Sequence, residues 1–485
     1  MSAATNFPGA YRLARWLVVV AATGIALVSS RDYAGGWNDG SRLATVEAIV
    51  DQHTLAIDES IFVKPSLGQA DGAPTPYPKN DPGLMLLGTG DKLLIDRHFY
   101  SDKSPVPAVA MAAMYQVWQW GTGLTARDAP DRFCYVMILL TSGLAYVVAV
   151  WSIFRIGSFL GLSLCWSLAL TASFALATVA LPYVRHVNNH IMLLGVTAAL
   201  MLALLQLGAE RRAGRVSRSQ LLWLGGLTGL GYTIDLGAGP VLLVCTLGVV
   251  IAQSRRFGST LVFLLAALPW LALHHGVNFL VGGTFKPANA VPEYFQWPGC
   301  VFSSQTMTGT WNHHDLGHFL KYAAALLVGK NGFLGHNLAL FLAVPAIVLL
   351  LRRRTRELPE VLFTGLFCGG TWLAYALTST NYSGQCCSIR WFVPLLAPAY
   401  FVLGVLVREV PRLRADFMIL SAWGAVIAGL AWSSGPWMRH MVPGYWFLQG
   451  GALLSWAGFR IQRHRRESRQ SAGDQGPRAT LNRAA

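Results

Sequence analysis

The chain has 485 residues, of which 53% are hydrophobic, 11% aromatic and 13% charged, with a mean hydropathy of +0.43. A water-soluble domain carries about 25% charged residues, so water is not this protein's only solvent. The 49 Gly and 23 Pro are ordinary usage and exclude a collagen-like or disordered chain, and seven cysteines are too few for a disulfide scaffold. In chain order, apolar segments of about spanning length lie at 13–30, 133–154, 157–182, 187–208, 221–235, 238–253, 259–281, 337–351, 359–378, 390–407, 416–433 and 445–459. They predict an all-α, polytopic membrane helical bundle of about 12 spans occupying 1–459 as one domain. No small-residue cleavage signature leading into a soluble domain follows the first segment, which reads as a retained span rather than a signal peptide.

A thirteenth apolar stretch, 105–120, is short and opens on Pro105 and Pro107. Loop charge decides how to read it, because basic residues bias loops toward the cytoplasm. If 105–120 does not cross, every basic cluster falls on the side of Arg12 and Arg15: Arg155, Arg211 to Arg218, Arg255/Arg256, Arg352 to Arg356, Arg408 to Arg414 and the tail from Arg460. That side then holds 23 Arg against 7 acidic residues, and the other side 15 Lys+Arg against 16 acidic residues. The net charge of +15 is therefore topogenic and meets anionic membrane lipids. No aromatic-interleaved basic platform accompanies it, so nucleic acid is not expected as a partner. The expectation is a half-inserted or interface-lying helix over 105–120, both termini cytoplasmic, and a basic, disordered tail at 460–485. No internal repeat is visible.

This orientation gathers the unusual polar content on the external side. The loop 31–104 opens with a Gly-flanked turn, GGWNDGSR, and continues into an amphipathic stretch from Ser41 to Ile57 capped by Gly40-Ser41. A Pro/Gly/Asp-rich loop (65–90) and the charged run Lys92, Arg97, His98, Asp102, Lys103 follow. Further external groups are Arg185, His186 and His190 with Asn188 and Asn189 between them, Asp235 at a helix break, the loop 282–336, Tyr382 before Arg390, and the loop 434–444. Polar groups near membrane depth are expensive and need a reason.

Each group has a bland reading beside the functional one. Asp39 is an Asx-turn residue or a carboxylate held at the surface as base or metal ligand. Lys103 snorkels to headgroups or pairs with a lipid-linked phosphate. Arg185, His186 and His190 are satisfied groups between helix ends or ligands. Arg390 opens a span on the side where arginine is disfavoured, which points to an anion. His313-His314-Asp315 with His318 is compatible with a divalent metal ion, yet it lacks a second glutamate and a fourth ligand. A solvated or substrate-contacting loop is the expected reading there, and the metal ligands stay unknown. An oxidising outer face permits a bridge from Cys300 to Cys386 or Cys387. Gly88-Thr89-Gly90-Asp91-Lys92 lacks the Walker spacing, the glycines from Gly226 to Gly231 lie within a span and imply close helix packing, and no GxSxG element occurs.

The order of these parts resembles the GT-C class of integral-membrane glycosyltransferases, in the branch of protein O-mannosyltransferases and the lipid A aminoarabinose transferase. WNDGSRLATVEAIVDQHTLAIDES is similar to that branch's acidic-residue-plus-amphipathic-helix element, and HFYSDKSPVPAVAMAAMY to its DKPP element leading into a helix. RHVNNHIMLL and NYSGQCCSIRWFVPLLAP resemble later external motifs of bacterial relatives, so the resemblance covers most of 10–410. Two positions depart from the pattern: Ser104 replaces the second proline, and glycine rather than glutamate follows Asp39.

The resemblance implies a GT-C-like bundle in a bacterial inner membrane, serving the cell envelope. It implies transfer of a sugar from a polyprenyl-phosphate sugar donor to a hydroxyl of a lipid, glycan or protein acceptor on the external face. The expected chemistry is an inverting single displacement with Asp39 as base and Arg42, Asp102, Lys103, Arg185, His186, His190, Tyr382 and Arg390 binding substrate. Lys103, Arg185 and Arg390 would neutralise the phosphate, and no cofactor beyond the candidate metal ion is called for. A transporter or lipid-linked-sugar flippase is the rival from another class, favoured by the break at Asp235-Leu236-Gly237. A glycosyltransferase-like scaffold without activity is a third.

Overall fold

In the computed structural model, which describes residues 8–65, 72–303, 307–437 and 442–473, each of the twelve apolar segments is helical. Among the described residues, seven helices are long and apolar enough to cross a membrane: Gly9–Ser29, Pro130–Phe159, Asn189–Arg212, Phe257–Gly282, Leu358–Thr378, Arg390–Glu409 and Pro411–Ser434. The protein is a polytopic helical membrane protein. The other segments form shorter helices such as Leu164–Leu176, Arg218–Ile234 and Leu340–Arg353. The segment 157–182 is divided because Gly161 adopts a left-handed conformation and Ser163 starts a new helix by accepting from the Trp166 amide. Pro105–Thr122 is not among the spanning helices.

Two helices form the centre. Asn189–Arg212 and Arg390–Glu409 are buried around almost their whole circumference, as their all-round apolar sequences require. Phe257–Gly282 and Gly9–Ser29 are mostly exposed, with Leu17, Val20, Leu264, Leu265 and Leu268 turned outward to lipid. Small residues allow the close contacts between helices. A Cβ on Gly229 would meet the Ala267 carbonyl at 2.7 Å, and one on Gly195 the Ala145 carbonyl at 2.9 Å, whereas Gly226 faces open space.

The central helices also define the two ends of the bundle. Each starts with a polar group, His190 or Arg390, and closes with a basic one, Arg212 or Arg408; at about 1.5 Å per residue these lie roughly 30 Å or more apart. At the basic end, Glu357 receives Arg408 through two hydrogen bonds of 2.9 and 2.8 Å, and Asp416 receives Arg460 at 2.6 Å and the Trp456 indole at 2.7 Å. The helix Tyr445–Gly473 passes this end, so 460–473 is helical where composition predicts disorder. Lateral support from Arg460 on Asp416 and of Arg463 on the Arg412 carbonyl explains the difference. Residues 474–485 lie outside the described part.

At the opposite end a small lobe has its own core. The helix Trp37–Asp51 packs on Pro105–Thr122 around Leu43, Val46, Phe62, Tyr77, Met111 and Tyr115. The two prolines of 105–107 occupy the first helical turn, where an N–H has no intrahelical acceptor, and so start the helix rather than bend it. Between the helices lies an element the all-helical expectation lacks. Lys92–Ile95 and His98–Ser101 pair as an antiparallel hairpin, with Lys92 opposite Ser101 and Ile95 opposite His98. Asp96 and Arg97 turn it with φ of 49° and 68°, the double positive φ of a tight two-residue turn. Leu93 and Ile95 pack on Phe295, which docks the 282–336 segment onto the lobe. All seven cysteines are free, Cys300 included, so no bridge joins it to Cys386 or Cys387.

Replacing Gly229 by leucine should force the Arg218–Ile234 and Phe257–Gly282 helices apart at a cost of about 1–3 kcal/mol. The expected readout is a lower thermal midpoint in detergent for Gly229→Leu and none for Gly226→Ala; equal midpoints would contradict the packing.

Candidate active site

Gly35 and Gly36 carry the chain from the first span into the helix Trp37–Asp51, and Gly36 is fully extended at φ −172°. Asp39 is thus the third residue of that helix, not a turn residue ahead of it, and its Oδ2 accepts the Gly35 amide at 2.6 Å. A carboxylate reaching back from this position satisfies an orphan N–H and sits favourably at the helix start. The side chain is fully buried, and Oδ1 has no hydrogen-bond partner. Gly40 lies so close to the Tyr77 hydroxyl that no side chain fits there, which accounts for glycine in place of glutamate.

The hairpin brings the second group of residues to this helix. Ser41 Oγ donates to the Asp91 carbonyl at 2.6 Å and lies 2.6 Å from Ser101 Oγ, while Thr89 Oγ1 donates to the Trp37 carbonyl at 2.8 Å. Asp102 and Lys103 follow directly. Lys103 Nζ lies 2.7 Å from both Asp91 Oδ2 and Asp102 Oδ2, so the one cation is held between two carboxylates. Burial raises the Asp102 carboxyl above its ordinary value, with Lys103 opposing and Asp91 reinforcing the shift.

Arg42 stands one turn beyond Asn38 and donates to its carbonyl at 2.7 Å and its Oδ1 at 2.6 Å. Burial lowers its guanidinium to about 10, and Arg390 adds to that, against the attraction of Asp102, Asp91 and Asp39. It remains a cation at neutral pH. Arg390 stands over the Trp437 ring, 5.4 Å from its centroid, with Nε buried and unpartnered. Among the described residues neither Arg42 nor Arg390 forms an ion pair with a carboxylate.

On the other side of Asp39 a cavity of about 570 Å³ is lined by Tyr33, Gly35, Asp81, Arg185, His186 and Trp437, among others. His186 Nδ1 lies 3.3 Å from Asp39 Oδ2, within ion-pair range but off the hydrogen-bonding axis. Arg185 donates to the Trp432 and Ser433 carbonyls, capping the C-terminus of the helix Arg414–Ser434. Burial first and Arg31 second lower its guanidinium to about 10.

Two residues belong to neighbouring structures. His190 Nδ1 pairs with Asp235 Oδ2 at 2.8 Å, and Asp235 also accepts from Asn189, Tyr375 and the amides of Gly237 and Ala238. The Asp235 carboxylate at the 235–237 break thereby accepts the first amides of the helix Ala238–Ser254. Tyr382 packs on Tyr322, ring centroids 5.4 Å apart, and no contact joins it to Asp39. His313 Nδ1 lies 3.1 Å from His318 Nδ1, and His313 Nε2 donates to the Ala376 carbonyl at 2.7 Å. Among the described residues no three His, Cys, Asp or Glu side chains converge as a metal site.

The structure thus unites Asp39, Arg42, Asp102, Lys103, His186 and Arg390, with Arg185 on the cavity wall. Sequence reasoning missed Asn38, Asp91 and Trp437. Asp91 was visible only inside a failed Walker pattern, and Trp437 had no local signal.

No family model and no curated protein matches this chain. Among solved structures it is similar to ArnT from Cupriavidus metallidurans. The crystal structure bound to undecaprenyl phosphate and the one in the apo state each give a TM-score of 0.49 at 14% identity. The alignments cover 95% of this chain and 71% and 70% of those chains. A likeness at this level assigns no ligand and no activity to the present protein.

Glu47, two turns beyond Asp39, fixes the far half of the helix. Its Oε2 accepts the Ser60 hydroxyl at 2.6 Å and the Ile61 amide at 3.0 Å. Burial raises its carboxyl to about 7 from an ordinary 4.5. The folded state therefore holds this proton more tightly than the unfolded one, and the associated stability is complete below pH 4.5 and lost as pH rises toward 7. Thermal midpoints of wild type should consequently fall between pH 5 and 8 relative to Glu47→Gln; parallel curves would contradict it.

Proposed function

We propose that this protein is a glycosyltransferase that moves a sugar from a polyprenyl-phosphate donor to an acceptor hydroxyl. The observation that carries the reading is the pairing of opposite, incompletely compensated charges in one place. Asp39 has a buried oxygen with no partner, and beside it Arg42 and Arg390 lack any carboxylate. A lipid-linked phosphate leaving group is already a stable anion, so it needs cations more than it needs an acid. A single carboxylate suffices as the base, unlike the paired carboxylates of glycoside hydrolysis.

In this mechanism the guanidinium groups of Arg42 and Arg390 bind the phosphate, as planar forks suited to its oxygens. The acceptor oxygen attacks the anomeric carbon as base catalysis centred on Asp39 removes its proton, and the bond to the phosphate breaks with inversion. Lys103 holds Asp91 and Asp102 together and so keeps the hairpin against the helix. The site lies at the end opposite the arginine-rich loops, which the charge bias puts on the external face with both termini cytoplasmic. Pro105–Thr122, with Trp120 exposed, offers a surface at which the donor's tail meets the bilayer. The acceptor is a lipid, glycan or protein, and the membrane is the bacterial inner membrane.

Transfer from a panel of polyprenyl-phosphate sugars by the purified protein in liposomes tests this. Asp39→Asn should lower the rate by about 10²–10⁴-fold with retained binding of polyprenyl phosphate, and Arg390→Ala should weaken that binding. Undiminished transfer by folded Asp39→Asn would refute the assignment.

A further inference from the structure

The position of Asp39 and the position of the cavity do not coincide. Asp39 is wholly enclosed and absent from the cavity wall, whereas His186 lines the cavity and has its Nδ1 against the carboxylate. The imidazole's other edge is placed by Gly35, over which it lies so closely that a Cβ there would meet Cε1 at 2.5 Å and Nε2 at 2.8 Å. Among the described residues Nε2 makes no hydrogen bond within the protein, Nδ1 is buried with no hydrogen-bond partner, and Ser142 Oγ donates to the His186 carbonyl at 2.7 Å. Tyr33 and Trp437 flank the ring at centroid distances of 5.9 and 6.4 Å. The same Trp437 carries Arg390 on its face, so the histidine and the phosphate-binding arginine share one indole.

We infer that His186 Nε2 takes the acceptor's proton and that Asp39 acts through it, as a positioning residue. This rests on the transferase reading and deepens it. The acceptor hydroxyl enters by the 570 Å³ cavity and gives its proton to Nε2. Its oxygen forms the bond to the anomeric carbon, and the electron pair of the breaking bond leaves on the polyprenyl phosphate. Asp39, whose second oxygen has no hydrogen-bond partner, stabilises the imidazolium and fixes Nδ1–H toward itself, as the third member of a base-orienting set does. The imidazolium then releases its proton to water through the open cavity. The 3.3 Å contact is of the long kind that tightens when substrate binds. The charged and titratable groups facing the imidazole are Asp39 on its helix, Tyr33 on the preceding segment, Arg185 beside it and Asp81 across the cavity, with Arg31 acting on Arg185.

The test is the pH profile of kcat/KM for transfer by the full-length protein in liposomes, with thermal midpoint and polyprenyl-phosphate binding as controls. His186→Gln should lose about 10²–10⁴-fold and its acid limb. Asp39→Asn should keep an acid limb displaced to lower pH, because the imidazolium has lost its counter-charge. Gly35→Ala, which alters no titratable group, should reproduce the His186→Gln loss. A His186→Gln enzyme that keeps its acid limb, with Asp39→Asn abolishing it, would overturn the inference and leave the transferase reading intact. If the wild type transfers no sugar from any polyprenyl-phosphate donor, the transferase reading itself fails.

Discussion

Two guanidinium groups without carboxylate partners, packed beside a carboxylate with one unpartnered oxygen, are the arrangement on which the rest of this structure depends. Buried charge is costly, and proteins normally cancel it with an ion pair. Here the cancelling partners are close by but differently engaged. Asp91 and Asp102 are occupied by Lys103, and Asp39 by Gly35 and His186. Arg42 and Arg390 are left with neutral acceptors and an aromatic face. Under the proposed function this uncompensated charge is what would receive the phosphate of a lipid-linked donor at the rim of the apolar bundle.

The surrounding architecture keeps these charges from collapsing onto one another. The hairpin Lys92–Ile95/His98–Ser101 holds both acidic partners of Lys103 at a fixed distance from the Asp39 helix through Ser41 and Ser101. The cap at Asp235 fixes the start of the spanning helix Asn189–Arg212 and that of the shorter helix Ala238–Ser254, and through Tyr375 reaches Trp391, stacked at 4.3 Å next to Arg390. Trp437 separates the arginine from the cavity that holds His186 and Arg185. Under the proposed function, this partition would keep an anionic, lipid-linked donor apart from a polar acceptor.

The bundle was legible in the sequence because spanning helices need long apolar runs, and arginine at 155, 211–218, 352–356 and 408–414 marked one end. Asp39 and Arg390 were legible too, since a carboxylate among glycines and an arginine on the disfavoured side are both anomalies. The hairpin was not, as KLLI and HFYS are each only four residues and their DR turn lacks the usual glycine. The engagement of Lys103 with Asp91, twelve residues away, depends on the turn that only the hairpin creates. Arg185 reads as a ligand in sequence but caps a helix some 250 positions away, a contact no local pattern announces.

The most direct measurement is a structure of the protein determined with an added polyprenyl phosphate. The account predicts phosphate density within hydrogen-bonding reach of both Arg42 and Arg390, on the Asp39 side of Trp437, with the prenyl chain leaving toward Pro105–Thr122. Phosphate bound at the arginine-rich end, or at a place remote from these two guanidinium groups, would contradict it.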